Sequence, residues 1–143
     1  DRSGLFDEAL SSSQDWDMWI RLARHFQFDF VPEILAKHYV HGEQISTSLS
    51  SKIASRRALV KKYCSDLAAH PRILSQHYLR IGVLYSLSGD FDQGRRCIYA
   101  ALKLHPAQAS GLAHAALSLI PGLYKKILFK KNVTRIDDIT FYY

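Results

Sequence analysis

The sequence predicts an α/β segment over about its first fifty residues, followed by an all-α helical bundle. Three observations predict this. Near the N-terminus one helical stripe is followed by short runs rich in β-formers. From Ser50 onward apolar residues recur at helical spacing between His-Pro and Ser-Gly breaks. The charge changes sign at the same place: residues 1–50 carry a net −4 and residues 51–143 a net +10. The polar stretch Ser46-Thr47-Ser48-Leu49-Ser50-Ser51 has loop composition and reads as the seam. The expected organisation is residues 1–50, an α-helical domain over 51–131, and an irregular tail over 132–143.

Residues 1–13 read as loop, with Gly4 and three consecutive serines. A helix is expected from about Gln14 to Phe26, because Trp16, Trp19, Ile20, Ala23 and Phe26 recur at helical spacing and predict a buried stripe. The serines offer an N-cap, and Ser11 with Gln14 has capping-box spacing. Phe28–Val31 and Ile34–His41 are short, rich in β-formers and interrupted by Pro32, which predicts two short strands or one broken one. Helices then follow over roughly Lys52–Ala69, Ile73–Leu87 and Phe91–Leu104. A fourth begins near Ala107 and is expected to kink or break at Pro121-Gly122, with a short basic helix following over Leu123–Lys131.

Residues 78–106 resemble one tetratricopeptide hairpin, with Tyr78, Ile81, Gly82 and Tyr85 in its first helix and Gly94, Ile98 and Ala101 in its second, closed by Pro106. No second copy follows at the repeat's offset, so an antiparallel helical hairpin inside a bundle is expected rather than a solenoid.

Hydrophobic residues are 48% and charged residues 22% of the chain, which fits a globular protein and argues against disorder. Cys64 and Cys97 form no CxxC and read as reduced, buried thiols. No signal peptide opens the sequence, and no apolar run reaches the length of about eighteen residues that a membrane helix needs. The expected setting is cytoplasmic. The start at Asp1-Arg2-Ser3-Gly4 falls inside a motif, so the chain is expected to be a fragment.

The densest chemical signal is the order Phe6-Asp7-Glu8, Gln14-Asp15-Trp16-Asp17-Met18-Trp19-Ile20-Arg21-Leu22, Val31-Pro32-Glu33 and His41-Gly42-Glu43-Gln44-Ile45-Ser46. Over residues 1 to about 50 this combination resembles the C-terminal end of the catalytic domain of family 2 glycosyltransferases. The resemblance implies a GT-A fold, a nucleotide-sugar donor, a saccharide or lipid-linked acceptor, and inversion, in bacterial surface glycan synthesis. By that match Asp15 is the catalytic base, with Gln14 standing where Glu is common. It also implies Mg²⁺ or Mn²⁺, with His41 helping to bind the metal or the departing diphosphate and the other metal ligands upstream. A fragment without the nucleotide-binding half would be inactive alone. Where the family often has an aromatic-Arg pair before its histidine, this chain has His38-Tyr39-Val40.

The physical chemistry of the residues agrees with Asp15. An inverting transfer needs a carboxylate to take the acceptor's hydroxyl proton. A carboxylate in a helix's first turn faces the positive end of the dipole. Asp17, two residues on, points to another side, so no close dyad forms. Without the resemblance both would read as helix-start acids, and His41 as a strand-end histidine. His38 and His41 would face opposite sides of a strand, against a zinc pair. Trp16 and Trp19 can stack on a sugar, but at helical spacing they read first as core. At the C-terminal end Ile120, Leu123, Tyr124, Ile127 and Leu128 share a helical face beside Lys125, Lys126, Lys130 and Lys131. This reads either as a terminal helix packed on its own bundle or as a peripheral contact with anionic membrane. No nucleic-acid module accompanies the charge. The competing functional class is a non-catalytic helical interaction module of tetratricopeptide type.

Overall fold

A computed structural model describes residues 3–10, 12–35 and 48–130. The chain divides into two compact units, Asp1–Lys62 and Tyr63–Tyr143. Among the described residues every regular element is a helix: α1 Gln14–Ala23, α2 Leu49–Lys62, α3 Cys64–Ala68, α4 Pro71–Ser88, α5 Phe91–Leu104, α6 Ala109–Ser118 and α7 Pro121–Lys130.

The expected α/β character of residues 1–50 is therefore overturned, and with it the GT-A fragment: the described part is all-helical. The physical reason is visible in residues 28–35. A strand needs a neighbouring backbone to complete its ladder, and here the Phe30 N–H is taken by the adjacent Asp29 carboxylate at 2.8 Å. Pro32 has no N–H to offer. Phe28, Phe30, Ile34 and Leu35 are all exposed, so no buried sheet face forms from them. Residues 36–41, and His41 with them, lie outside the described residues, as does the 132–143 tail.

In the first unit α1 is preceded by Ser13, which holds a left-handed conformation (φ 64°) and gives no side-chain cap. Gln14 instead sends its amide back to the Leu10 carbonyl at 2.7 Å. α2 starts at Leu49, within the stretch expected to be loop. It is tied to the loop before α1 through the Ser12 and buried Ser55 hydroxyls, 2.6 Å apart. Its buried side chains are Ile53, Ser55 and Leu59. The single helix expected over Lys52–Ala69 is interrupted at Tyr63, whose backbone (φ −107°, ψ 26°) leaves the helical region and opens α3.

The second unit is built on the α4–α5 hairpin. Gly89 ends α4 with φ 94°, a conformation that glycine adopts without penalty. The Asp90 N–H reaches back to the Tyr85 carbonyl at 2.9 Å, and the Asp90 carboxylate accepts from the Gln93 N–H at 3.1 Å, which caps α5. The helices run antiparallel: Ser75 near the start of α4 donates to the Ala101 carbonyl near the end of α5 at 2.9 Å. Mid-hairpin the backbones approach closely at Gly82 and Gly94. A Cβ on Gly82 would lie 2.8 Å from both the Gly94 carbonyl oxygen and Ile98 Cγ1. Leu79, Ile98 and Ala101 form the buried cluster, with Tyr78, Leu102 and Ala115 packed against it. Tyr124 and Leu128 of α7 are also buried. The α7 stripe thus divides, with Tyr124 and Leu128 packed inward while Ile120 and Leu123 remain exposed. Neither cysteine is bonded to another; Cys64 is exposed, against the expectation of a buried thiol, and Cys97 is half-buried.

Candidate functional site

The first unit concentrates its charge around α1. Asp15 and Asp17 both lie in the first turn of the helix, yet their environments are opposite. Asp17 is fully buried, and each of its oxygens meets a cation. Its Oδ2 accepts from Arg21 Nε at 3.0 Å, one turn along the same helix. Its Oδ1 lies 2.6 Å from Lys62 Nζ at the end of α2. Lys62 also donates to Asp7 Oδ2 at 2.6 Å. Arg21 goes on to donate to the backbone carbonyls of Ser3 and, at 2.8 Å, of Leu5. The cluster of Asp7, Asp17, Arg21 and Lys62 is therefore neutral, and it joins α1, α2 and the N-terminal loop. A buried carboxylate without such partners would cost several kcal/mol, roughly, in desolvation.

The Asp7 carboxyl is held below the usual carboxylate range, first by the hydrogen bond from Lys62 and then by the Ala9 N–H at 3.0 Å. Asp15, by contrast, is exposed and makes no hydrogen bond or ion pair among the described residues. Its carboxylate is open to a ligand approaching the helix start.

α1 turns its Asp17 side inward and leaves the predicted apolar stripe outside. Trp16, Trp19 and Phe26 are 39%, 57% and 52% exposed, and Ile20 is half-buried. The expectation of a buried tryptophan pair is overturned, because the inward side is occupied by the ion pairs instead. The Trp19 indole meets Phe28 edge to face, with ring centroids 5.2 Å apart. Sequence reasoning missed the partnership with Lys62 altogether. The four-residue spacing of Asp17 and Arg21 was the available signal for the first pair; nothing local points to a lysine forty-five positions further on.

Among the described residues no three His, Cys, Asp or Glu side chains come together as a metal site. Asp7 and Asp17 share Lys62, and Asp17 also pairs with Arg21, so both carboxylates are already neutralised.

The second unit holds two further polar features. An open cavity of about 340 Å³ is lined by Arg72, Gln76, His105 and Gln108, among others. Tyr124 is fully buried, with its hydroxyl 2.7 Å from His114 Nδ1. Burial pushes its phenol up to about 12. No described helix is long and apolar enough to cross a membrane.

The chain is 31% identical over 70 residues to an uncharacterized glycosyltransferase of Rickettsia felis, a match covering 49% of this chain and 12% of that protein. A second uncharacterized glycosyltransferase, from Rickettsia typhi, is 30% identical over 71 residues, covering 50% of this chain and 22% of the relative. The matched stretch thus spans less than a quarter of either relative's length. No protein-family model matches the chain, and no solved structure does.

Proposed function

We propose that this chain is part of a glycosyltransferase that moves a sugar from a nucleotide-diphosphate donor to a hydroxyl acceptor, with inversion at the anomeric carbon. The class of activity is supported by the names of the Rickettsia relatives and by the ordered family 2-like motifs. The observation that carries the residue assignment is the contrast between two carboxylates on one helix turn. Asp17 is enclosed and shared by Arg21 and Lys62, whereas Asp15 is exposed and unpaired among the described residues.

A general base must reach the proton it removes. In the proposed step Asp15 takes the acceptor's hydroxyl proton while that oxygen forms its bond to the anomeric carbon. The bond from that carbon to the diphosphate oxygen breaks, and the nucleoside diphosphate leaves with the electron pair. A hexosyl donor and a saccharide or lipid-linked acceptor in surface glycan synthesis complete the reading. Mg²⁺ or Mn²⁺, with His41 as one ligand, belongs to the same proposal, although the described residues offer no set that would hold the ion.

The test is nucleotide release by the full-length protein across a panel of nucleotide sugars. Asp15→Asn is expected to lower kcat by about 10²–10⁴, the usual worth of a general base, with donor affinity nearly unchanged. Wild-type turnover in that variant would remove Asp15 from the role. Failure of every donor to release nucleotide would remove the activity itself. His41→Ala is expected to move the metal-activation curve to higher Mn²⁺, and an unmoved curve would return His41 to a structural role.

A further inference from the structure

The corner between α6 and α7 presents an apolar tip on a basic surface. α6 ends at Ser118 and α7 begins at Pro121, so Leu119 and Ile120 form the turn. Their N–H groups are satisfied locally, by the Ala116 carbonyl at 3.2 Å and the Leu117 carbonyl at 3.1 Å. The turn is closed through its backbone, and its side chains are left in solvent: Leu119 is 68%, Ile120 58% and Leu123 45% exposed. α7 is anchored through its other side, by buried Tyr124 and Leu128. Lys126, one turn after Leu123, is exposed, as is Lys125. Arg95 reaches the same corner from α5 and donates to the Ser118 carbonyl at 3.4 Å, with its charge offset by Asp92 at 2.5 Å. Beyond Asp92 the sequence runs from Gln93 to Ile136 with eight Lys and Arg and no Asp or Glu.

We propose that this corner is a peripheral docking surface for an anionic lipid bilayer. Leu119, Ile120 and Leu123 enter the boundary between headgroups and acyl chains, while Lys125 and Lys126 lie at the level of the lipid phosphates. Charge complementarity selects an anionic surface. The three aliphatic side chains select lipid over a soluble polyanion, which would satisfy the lysines and have no use for them. α7 has ten residues, so at about 1.5 Å per residue it covers only about half of a bilayer's hydrocarbon core. The attachment is therefore interfacial and reversible, and salt screens its electrostatic part. This inference does not depend on the proposed transferase activity.

The experiment is cosedimentation of the full-length chain with vesicles. Binding is expected to vesicles of phosphatidylglycerol mixed with phosphatidylcholine at low salt, to weaken at high salt, and to be slight with phosphatidylcholine alone. Lys125→Gln with Lys126→Gln should lower the partition coefficient about 30-fold at low salt. Ile120→Ser with Leu123→Ser should weaken vesicle binding while leaving retention on heparin unchanged. Equal binding to anionic and neutral vesicles would overturn the proposal. So would an apolar pair of substitutions without effect, because the surface would then be a general polyanion site of the kind that nucleic acid uses. All four substitutions fall at exposed positions, and the lipid and salt comparisons on the native chain need no variant.

Discussion

Replacing Asp17 by Asn is the sharpest test of how the first unit is held together. The substitution keeps the shape and removes the charge from a fully buried side chain whose two oxygens meet Arg21 and Lys62. Breaking one partner out of a buried ion pair costs about 3–5 kcal/mol, since the remaining charge is left without its counterion. Here the survivors have alternatives. The Arg21 and Lys62 side chains are 20% and 35% exposed. Lys62 keeps Asp7, and Arg21 keeps the Ser3 and Leu5 carbonyls. The expected loss is therefore lower, about 2–3 kcal/mol. For a unit of this size, at about 4–8 °C per kcal/mol, that corresponds to a fall in Tm of about 8–24 °C. Both tryptophans of the chain, Trp16 and Trp19, lie on α1, so their fluorescence during urea unfolding reports on this unit. Asp15→Asn is the control, because an exposed carboxylate with no partner among the described residues should leave stability within about 0.5 kcal/mol. A midpoint for Asp17→Asn no lower than that of Asp15→Asn would refute the structural assignment of the pair.

Two further outcomes follow from the second unit. Gly82→Ala should destabilise by about 1–3 kcal/mol, because the new methyl meets the Gly94 carbonyl and Ile98 at 2.8 Å and a backbone carbonyl cannot step aside. Gly122→Ala has nothing within 4 Å and should be neutral or stabilise by up to about 1 kcal/mol, so circular-dichroism melts of the two variants should move in different directions or by very different amounts. Tyr124 imposes an alkaline limit. Its phenol ionises near pH 10 in the unfolded chain but is raised to about 12 in the fold. The unfolded state thus loses its proton first, and stability falls as pH rises from about 10 to about 12. Urea midpoints across that range should fall less steeply for Tyr124→Phe, and parallel slopes would show that the buried phenol does not contribute.

Much of the second unit was legible because its signals are local. Ser88-Gly89-Asp90 contains both a helix stop and the next helix's cap, and the structure uses it that way, with left-handed Gly89 and the Asp90–Gln93 bond. Gly82 and Gly94 hold pattern positions of the tetratricopeptide-like hairpin, and both are where a side chain would collide. Pro121-Gly122 predicts a kink or break, and Pro121 stands at the first position of α7. In the first unit the sequence pattern misleads where the outcome depends on partners. Phe28–Leu35 has the composition of strands, but composition supplies no second strand to pair with. Trp16, Trp19 and Phe26 have the spacing of a core stripe, and spacing does not say which side of a helix turns inward.

The sequence by itself determined the helix at Gln14, the hairpin turn at Gly89, and the two carboxylates placed two residues apart on one helix start. It also determined the change from an acidic first third to a basic remainder, which is independent of fold. Only the tertiary structure decided that Asp17 is enclosed and Asp15 is open, because that distinction rests on Lys62 arriving from α2 across a long separation in sequence. It likewise decided that Tyr124 and Leu128 face inward and that Leu119, Ile120 and Leu123 do not. Caps, turns and charge depend on neighbours within a few residues. Burial depends on which distant surface a helix meets, and a one-dimensional pattern of apolar and polar residues leaves that surface unspecified.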